Sequence, residues 1–377
     1  MAAHRSQRIG LVVAFVVAIG VVAPTQILFE LREGDTPGIA ELFRQAPTRA
    51  NLRRLENDLE NHCRLGQVVR PWMQFARFGL LADAGDKALL GRDGWFFYRP
   101  AVQYLIEPWS PDEGQIQGNV FDAVVSFRDE LAKRGIKLLV MPAPNKASVY
   151  PEMLAARAGR GSATVNRTTL DVLAKLKQAG VEVVDLFDVY AEARRKSGSP
   201  EYYLAQDSHW SPEGMRLAAE TVARRLLDLG WVERGTTKYE MRSVPVERYG
   251  DVLKMIRVPQ VEKLYKPQQM NCTRVVDAAS GKPYADDPNS PVLVLGDSFL
   301  RIFERDEPGA GGFVAHLACN LGFGLSSIIS DGGASTLVRQ QLARKPALLK
   351  GKNVVVWEFV ERDIRFGTEG WQVIPLP

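Results

Sequence analysis

Two short segments carry residue types that together could perform acyl transfer. Ser298 stands in Gly-Asp-Ser-Phe at residues 296–299, after an apolar run, and His209 stands upstream in Asp-Ser-His-Trp at residues 207–210. A serine hydroxyl is a weak nucleophile near neutral pH unless an imidazole takes its proton, and that imidazole needs a carboxylate to fix its tautomer. We therefore expect Ser298 as the nucleophile, His209 as the base and Asp207 as the acid that orients the base.

Each of these residues also has an ordinary structural interpretation. Ser298 could simply cap the helix that follows its strand. Of the four histidines, His4 and His62 lie near the N-terminus, and His316 lies in an apolar stretch that predicts a buried, satisfied side chain. His209 is thus the most plausible base, and the combination of all three residue types favours an enzyme.

The elements that must position these residues alternate along the chain. Alternating strands and helices indicate a doubly wound, parallel α/β sheet, in which ligands bind beyond the carboxyl ends of the strands. Ser298 follows one such strand directly. Apolar runs predict strands at residues 137–141, 181–187, 292–295, 313–318 and 353–359, and helical spacing predicts helices at residues 120–134, 166–178, 211–229 and 334–344.

The N-terminus predicts a membrane anchor. Residues 9–29 are almost wholly apolar and follow Arg5 and Arg8, and a helix of that length is about 30 Å long, enough to cross a hydrocarbon core. The positive flank favours export of the C-terminal part; a cleaved signal peptide is the competing interpretation. We expect a cytoplasmic tip and transmembrane signal anchor at residues 1–29, a helical stalk or linker at 30–85 and a catalytic domain at 86–377, with an insertion at 231–289.

Composition narrows the class of partner. The chain has 377 residues, is 46% hydrophobic and carries a net charge of only +4, so we expect a folded core and no nucleic-acid binding. No cluster of cysteine and histidine predicts a metal. Of the three cysteines, we expect Cys319 to be a buried free thiol and Cys63 to form a disulfide with Cys272.

The two motifs together resemble the alginate O-acetyltransferase family (AlgJ/AlgX-like), whose domain is SGNH-hydrolase-like. The Asp-x-His-Trp segment resembles that family's base motif and the Gly-Asp-Ser segment its nucleophile motif. Their order, with the Asp/His pair before the serine, also resembles this family and not ordinary SGNH hydrolases. Further resemblances lie at residues 91–98, at residues 142–146 with the following Tyr150-Pro151, and at residues 357–362.

The resemblance implies a function as well as a fold. It implies an acetyl-Ser298 intermediate, with His209 as the base and Asp207 as its orienting acid, and transfer of the acetyl group to hydroxyls of an exported polysaccharide such as alginate. It implies no cofactor. The acetyl donor would be a membrane-bound O-acyltransferase partner, and the protein would work in the periplasm, anchored to the bacterial inner membrane.

The oxyanion hole has no clear sequence signature. SGNH enzymes use the serine N–H, a glycine and an asparagine, and this chain has no evident Gly-x-Asn block. Asn145 and Asn320 are candidate donors, and Lys146 and Arg362 are candidate contacts to an anionic sugar. Each of these four residues also has a structural interpretation that is at least as good.

Two rival functions stay open at this level. A carbohydrate acetylesterase would use the same three residues, with water in place of the sugar hydroxyl as the acceptor, and the outcome depends on how the site excludes water. A non-catalytic scaffold for polysaccharide assembly is the alternative from a different class, against which the intact set of Asp207, His209 and Ser298 argues.

Overall fold

The computed structural model describes residues 12, 16, 20, 24–34, 48–53, 64–107, 118–159 and 164–377. The chain divides into two compact units, one of Met1–Asp83 with Val258–Leu264 and the other of Ala84–Arg257 with Tyr265–Pro377. In the part described, the smaller unit contains the long helix α1 (Arg64–Leu81).

The larger unit alternates strands and helices, as the sequence predicts. Its strands are β1 (Ala88–Leu90), β2 (Phe96–Tyr98), β3 (Lys137–Ala143), β4 (Glu182–Val183), β5 (Tyr239–Arg248), β6 (Gln268–Asp277), β7 (Val292–Gly296), β8 (Ser326–Ile329) and β9 (Val354–Val360). The helices after α1 are α2 (Arg99–Ile106), α3 (Val120–Ala132), α4 (Lys146–Val149), α5 (Pro151–Leu154), α6 (Arg167–Gln178), α7 (Leu186–Arg195), α8 (Pro212–Asp228), α9 (Asp251–Met255), α10 (Pro259–Glu262, in the smaller unit), α11 (Ser298–Arg301), α12 (Phe313–Leu321), α13 (Leu337–Ala343) and α14 (Asp363–Phe366), with a 3-10 turn at Pro346–Leu349.

A five-stranded sheet in the order β4-β3-β9-β7-β8 forms the centre of the larger unit. Every neighbouring pair is parallel, which confirms the predicted doubly wound α/β sheet. Because the strands are parallel, their carboxyl ends meet at one edge, and this edge receives the loops that carry the functional residues.

The sheet is buried on both faces. Along β7, Val292 and Val294 belong to one hydrophobic cluster, while Leu293 and Leu295 belong to the other. Successive side chains of a strand point to opposite faces, so a strand covered on both sides reads as a continuous apolar run. Helices α8 and α12 contribute to the first cluster, and α3, α6 and α13 to the second.

The prediction of a strand at residues 313–318 is wrong. These residues begin helix α12, all of them are buried, and the helix ends at Gly322, which adopts a φ of 77°. A helix that is apolar on every side gives the same uninterrupted pattern as a buried strand, so periodicity does not separate them. The outer strand next to β7 is instead β8, which the sequence analysis did not predict.

The predicted strand at residues 181–187 is much shorter than expected. Only Glu182–Val183 pairs with β3, and Asp185 then caps α7 by accepting a hydrogen bond from the Phe187 N–H at 3.2 Å. A good N-cap residue thus ends the strand early. The predicted helices at residues 120–134, 166–178 and 211–229 are confirmed as α3, α6 and α8.

Several predictions for the flanking segments have partial answers. The predicted anchor at residues 9–29 lies mostly outside the described residues, and so do Cys63 and parts of the predicted stalk at residues 30–85. Among the described residues, no helix is both long and apolar enough to span a bilayer.

The cysteines differ in part from the prediction. Cys272 is a free thiol in the core, so the predicted disulfide is wrong. Cys319 is free, as predicted, and half-buried. The predicted insertion contains the antiparallel pair β5 and β6.

Candidate active site

The nucleophile motif forms a tight turn from β7 into α11. The Asp297 side chain accepts a hydrogen bond from the Phe299 N–H at 2.9 Å and so caps the short helix. The Asp297 N–H donates to Glu358 Oε2, on neighbouring β9, at 3.0 Å. A Cβ at Gly296 would lie 2.5 Å from that same oxygen, so the turn requires glycine there. These contacts hold Ser298 at the carboxyl edge of the sheet.

The segment that carries the base folds back on itself before α8. The Leu204 N–H donates to the His209 carbonyl at 3.2 Å, and the Ser211 N–H donates to the Tyr202 carbonyl at 3.0 Å. Ser211 then caps α8 by accepting a hydrogen bond from the Gly214 N–H at 3.1 Å. The loop therefore has its ends closed by backbone bonds, which limits the positions that His209 can take.

Lys146, a candidate sugar contact in the sequence, has a structural role instead. It is only 4% exposed and its ammonium lies 4.8 Å from the centre of the Trp95 ring. Backbone carbonyl oxygens surround the ammonium and accept its hydrogen bonds, so it is not available to a ligand. These bonds connect the base-carrying loop to β2. The four carbonyls, at 2.6 to 2.9 Å from Nζ, are those of Phe96, Leu204, Ala205 and Asp207.

The fold brings the three predicted site residues into contact. His209 Nε2 lies 2.8 Å from Ser298 Oγ, and His209 Nδ1 lies 2.6 Å from Asp207 Oδ1. Asp207 is fully buried and His209 is 5% exposed, while Ser298 is half-buried. The two imidazole nitrogens thus face one hydroxyl and one carboxylate, which is the arrangement that proton transfer from serine to histidine needs.

The surroundings set the charges of this pair. Although burial opposes ionisation of Asp207, the hydrogen bond and charge of His209 and the charge of Arg248 hold the pKa of this carboxyl well below its usual range. Burial also opposes protonation of His209, yet the hydrogen bond and charge of Asp207, with the charges of Asp251 and Asp297, raise the pKa of the imidazole. The site therefore favours an Asp207 carboxylate next to a histidine that accepts a proton readily.

Two further charged residues touch the pair, and the sequence analysis missed both. The Asp251 N–H donates to Asp207 Oδ2 at 3.1 Å, and Arg248 lies 3.4 Å from the same oxygen. Both come from the predicted insertion, whose sequence carries no motif that points to the base. The one local signal is Gly250, where a Cβ would lie 2.0 Å from the Gln206 carbonyl oxygen, because the two loops approach closely there.

A second group of carboxyls lies behind the nucleophile turn. Asp297 and Glu358 are buried, and their Oδ2 and Oε1 atoms have no hydrogen-bond partner among the described residues. Burial raises the pKa of Asp297, and burial together with the charge of Asp297 raises the pKa of Glu358 well above its usual value. Both carboxyls thus have raised pKa values, in contrast to the lowered pKa of Asp207.

The other sequence candidates divide between the site's edge and the core. Asn145 follows β3 at the carboxyl edge, and its buried amide has no hydrogen-bond partner in the described part of the chain. Arg362 follows β9 at the same edge and lies over the Tyr98 ring at 5.1 Å. Asn320 instead donates to the His316 carbonyl within α12 at 2.9 Å. Only Asn145 and Arg362 remain candidates for ligand contact.

His316 and Trp210 both belong to the core. His316 is buried as expected, and its Nε2 lies 3.1 Å from the Thr273 carbonyl oxygen, but its Nδ1 has no partner among the described residues. Burial lowers the pKa of His316 to about 4. The ring of Phe299, next to the nucleophile, lies 4.8 Å from the His209 imidazole, and Trp210 packs on the same Phe299 ring at 5.0 Å.

One group of side chains has metal-ligand spacing in the part of the chain that the structure describes. Asp207, His209 and Asp251 each offer one ligand atom, all within 4.8 Å of one another. The hydrogen bond between His209 Nδ1 and Asp207 already uses two of these atoms, and a metal there would remove the orienting contact. The geometry fits the proton relay better than a metal site.

Comparison with known proteins points to one family. Residues 88–361 match the family model described as the SGNH hydrolase-like domain of the acetyltransferase AlgX. This span includes all three residues of the proton relay.

Individual relatives carry related names. A probable alginate O-acetylase AlgJ of Pseudomonas aeruginosa is 29% identical over 240 residues, which is 59% of this chain and 54% of that protein. The AlgJ of Pseudomonas fluorescens is 25% identical over 302 residues, which is 78% of this chain and 72% of that protein. The chain thus spans only about half the length of the first relative.

Two solved structures share the fold. The O-acetyltransferase domain of Pseudomonas putida AlgJ aligns with a TM-score of 0.57 at 22% identity, over 74% of this chain and 91% of that domain. Pseudomonas aeruginosa AlgX aligns with a TM-score of 0.53 at 20% identity, over 72% of this chain and 62% of that protein. At this identity the likeness establishes the SGNH-hydrolase-like α/β architecture.

Proposed function

Because the chain belongs to the family of AlgX SGNH hydrolase-like acetyltransferase domains, we propose that it is a polysaccharide O-acetyltransferase that works through an acetyl-serine intermediate. The single observation that carries this proposal is the unbroken contact from Asp207 through His209 to Ser298. Relatives named alginate O-acetylase support alginate, or a similar exopolysaccharide, as the acceptor.

The first half-reaction loads the serine. Ser298 Oγ attacks the acetyl carbonyl carbon of the donor while His209 Nε2 takes the hydroxyl proton. The C–O bond to the donor then breaks, and the imidazolium returns the proton to the leaving oxygen. The Asp207 carboxylate stabilises the imidazolium through its bond to Nδ1, which is the state that the raised pKa of His209 favours.

The negative charge that develops on the acetyl oxygen needs hydrogen-bond donors. The Ser298 N–H, at the start of α11, has no acceptor among the described residues, so it is free to serve as the first donor. The Asn145 amide is the second candidate at this edge, since its side chain is buried and unpaired within the part described. Donors held in place in this way stabilise a transition state at no reorganisation cost.

The second half-reaction unloads the serine. A sugar hydroxyl gives its proton to His209 Nε2 and attacks the acetyl carbonyl carbon, and Ser298 Oγ leaves and regains the proton. Water in place of the sugar would give an acetylesterase with the same residues. The distinction depends on which acceptor the site holds next to the acetyl group.

A cellular setting belongs to the same proposal. We propose the membrane-bound O-acyltransferase partner as the acetyl donor, because the exported side of a membrane lacks acetyl-CoA. Residues 9–29 would anchor the protein to the inner membrane and leave the domain at residues 86–377 in the periplasm. The apolar run behind Arg5 and Arg8 supports this orientation, and the compact unit that begins at Ala84 supports the domain boundary.

Intact-mass spectrometry after incubation with an activated acetyl ester tests the proposal. We expect a stable or transient gain of about 42 Da, one acetyl group in place of a hydrogen, as a covalent intermediate requires. Ser298→Ala should abolish the gain, while the control Ser243→Ala, at an exposed serine of β5, should retain it. Faster discharge by alginate oligosaccharide than by water would establish a transferase; faster discharge by water would establish an esterase. No adduct on the folded protein would overturn the mechanism.

A further inference from the structure

A turn of the insertion lies directly behind the base. Residues 248–251 lead from β5 into α9, and they contact Asp207 and its neighbour Ser208. The Asp251 carboxylate accepts from the Ser208 N–H and the Ser208 hydroxyl, each at 2.6 Å. These two bonds fix the Asp251 side chain with Oδ2 3.6 Å from His209 Nδ1.

We propose that Asp251 and Arg248 are positioning residues that hold and tune the Asp207–His209 pair. In this arrangement the insertion supplies a second carboxylate on the imidazole and a cation on Asp207. The proposal rests on the proposed function only in taking His209 as the base.

The contacts of Asp207 explain how the positioning works. Its Oδ1 accepts from His209 Nδ1 at 2.6 Å and from the His209 N–H at 3.2 Å. Its Oδ2 accepts from the Asp251 N–H at 3.1 Å and lies 3.4 Å from Arg248. Both carboxylate oxygens are therefore occupied on different sides, and the side chain cannot rotate away from the imidazole without losing bonds on the insertion.

The two insertion residues act on His209 with opposite signs. Asp251 is a nearby negative charge, which favours the imidazolium. Arg248 is a positive charge that lies against Asp207 and not against the imidazole itself, and it disfavours the imidazolium. The other charged groups that face this pair are Asp297, beside Ser298, and Lys146, whose ammonium lies next to the backbone of Asp207 and near Asp251. Arg248 also lies 3.8 Å from the Asp306 carboxylate. Burial lowers the pKa of Lys146 to about 7 and the charge of Asp251 opposes that lowering, so Asp251→Asn should lower the pKa of Lys146 as well, which is why the His209 signal must be assigned separately.

The two substitutions should shift the pKa of His209 in opposite directions, and a general loss of packing would not produce that result. We expect Asp251→Asn to move the pKa of His209 down by about one unit and Arg248→Gln to move it up by a smaller amount. The readout is the imidazole titration of the full-length protein by NMR, with the His209 signal assigned by its absence from His209→Gln. This readout needs no substrate, so failure of the proposed acetyl transfer would leave it intact.

Kinetics on a small acetyl ester supply the second readout. In Asp251→Asn we expect the acid limb of kcat/KM to move to lower pH, because a less basic imidazole stays neutral there. We also expect kcat at the plateau to fall about tenfold with KM little changed. Glu240→Gln, which removes an exposed carboxylate on β5 of the same insertion, should leave both the titration and the pH profile as in the wild type.

The outcomes that would overturn the proposal are specific. Shifts of the His209 pKa in the same direction in both variants, or no shift in either, would show that the insertion does not act through these charges. If Asp251→Asn does not fold, as judged by circular dichroism, then Arg248→Gln decides: an upward shift supports the proposal and an unchanged His209 pKa overturns it.

Discussion

The carboxyl groups of this site have pKa values that are shifted in opposite directions. Asp207 accepts hydrogen bonds on both oxygens and lies beside Arg248, which together outweigh its burial and keep it ionised. Asp297 and Glu358 are as deeply buried, but each has a carboxylate oxygen with no partner among the described residues. Burial without such partners raises the pKa of both. The direction of the pKa shift therefore depends on the number of hydrogen-bond donors around each carboxyl, and not on how deeply the carboxyl is buried.

The pH dependence of turnover tests the role of Asp207. His209 must be neutral to accept the serine proton, so activity falls as the pH drops through the raised pKa of His209. Asp207→Asn removes the carboxylate that raises this pKa, so the acid midpoint of kcat/KM should move to lower pH. The plateau of kcat should fall about 10³- to 10⁴-fold, the loss typical of such an orienting acid.

The matched control is Asp228→Asn, at an exposed position at the end of α8, which should leave both the midpoint and kcat unchanged. An Asp207→Asn protein that keeps the wild-type midpoint would show that another group sets the basicity of His209.

At the scale of elements, the turn between β7 and α11 depends on close packing against β9. Gly296 is the closest point of approach, since the Glu358 carboxyl occupies the space that a side chain would need. The same carboxyl accepts the Asp297 N–H. One strand therefore both blocks side chains in the turn and supplies a hydrogen bond to it, which places the serine reproducibly.

Gly296→Ala tests this packing. The new Cβ would lie 2.5 Å from Glu358 Oε2 and 2.4 Å from Leu300 Cδ1, so we expect the free energy of unfolding to fall by about 1–3 kcal/mol, as for overpacking of a core. Ester turnover should fall as well, because the turn must shift. Chemical denaturation and turnover of the same samples measure both effects.

Gly79→Ala in α1 is the control, since a Cβ there meets nothing within 4 Å. It should raise stability slightly, by about 0.5–1 kcal/mol through helix propensity, without change in turnover. Wild-type stability and turnover in Gly296→Ala would contradict the proposed constraint.

The elements themselves were predictable to different degrees. Helices α3, α6 and α8 carry caps and polar faces, and their sequence pattern locates them correctly. The first six residues of α12 are all buried, so this part of the helix has no polar face, and its pattern therefore predicted a strand. Strand β4 is two residues long because Asp185 starts a helix, which an apolar run does not reveal. Where an element is buried on every side, the periodicity of its apolar residues does not distinguish a helix from a strand.

At the scale of the whole molecule, buried carboxyls link stability to pH. Burial raises the pKa of Glu304 and of Glu361 to about 7. Glu304 accepts from the Ala315 N–H at 3.0 Å, and Glu361 accepts from the Asn145 N–H at 2.9 Å. Those bonds only partly offset the loss of hydration. The folded state therefore holds protons that the unfolded chain releases between about pH 4.5 and pH 7.

The free energy of unfolding should accordingly decrease as the pH rises from about 4.5 to about 7. Asp207 and His316 act in the opposite sense: the depressed pKa of Asp207 places its loss of stability below about pH 4, and the pKa of about 4 at His316 offsets part of the decrease between about pH 4 and pH 6.5. Glu361→Gln keeps the shape and cannot ionise, so the decrease across this range should become smaller. Urea denaturation at pH 5, 6 and 7 measures it. Glu192→Gln, at an exposed position on α7, should retain the wild-type decrease, and an undiminished decrease in Glu361→Gln would contradict the assignment.

The sequence by itself predicted the class of fold and selected the three residues on which the proposed chemistry rests. Asp207, His209 and Ser298 could be selected because acyl transfer requires these three residue types, and because Ser298 follows an apolar run that predicts a strand of a parallel sheet. Local spacing carries this information, since a strand, a turn and a helix cap each depend on neighbours in the chain.

Only the tertiary structure decided what surrounds the three residues. Arg248 and Asp251 reach the base from an insertion, Lys146 fastens its loop, and Glu358 reaches the nucleophile turn from another strand. None of these contacts joins residues that are close in sequence, so no local pattern records them. The charge of a buried carboxyl depends on such partners, and for that physical reason the state of each acid in this site follows from the folded structure alone.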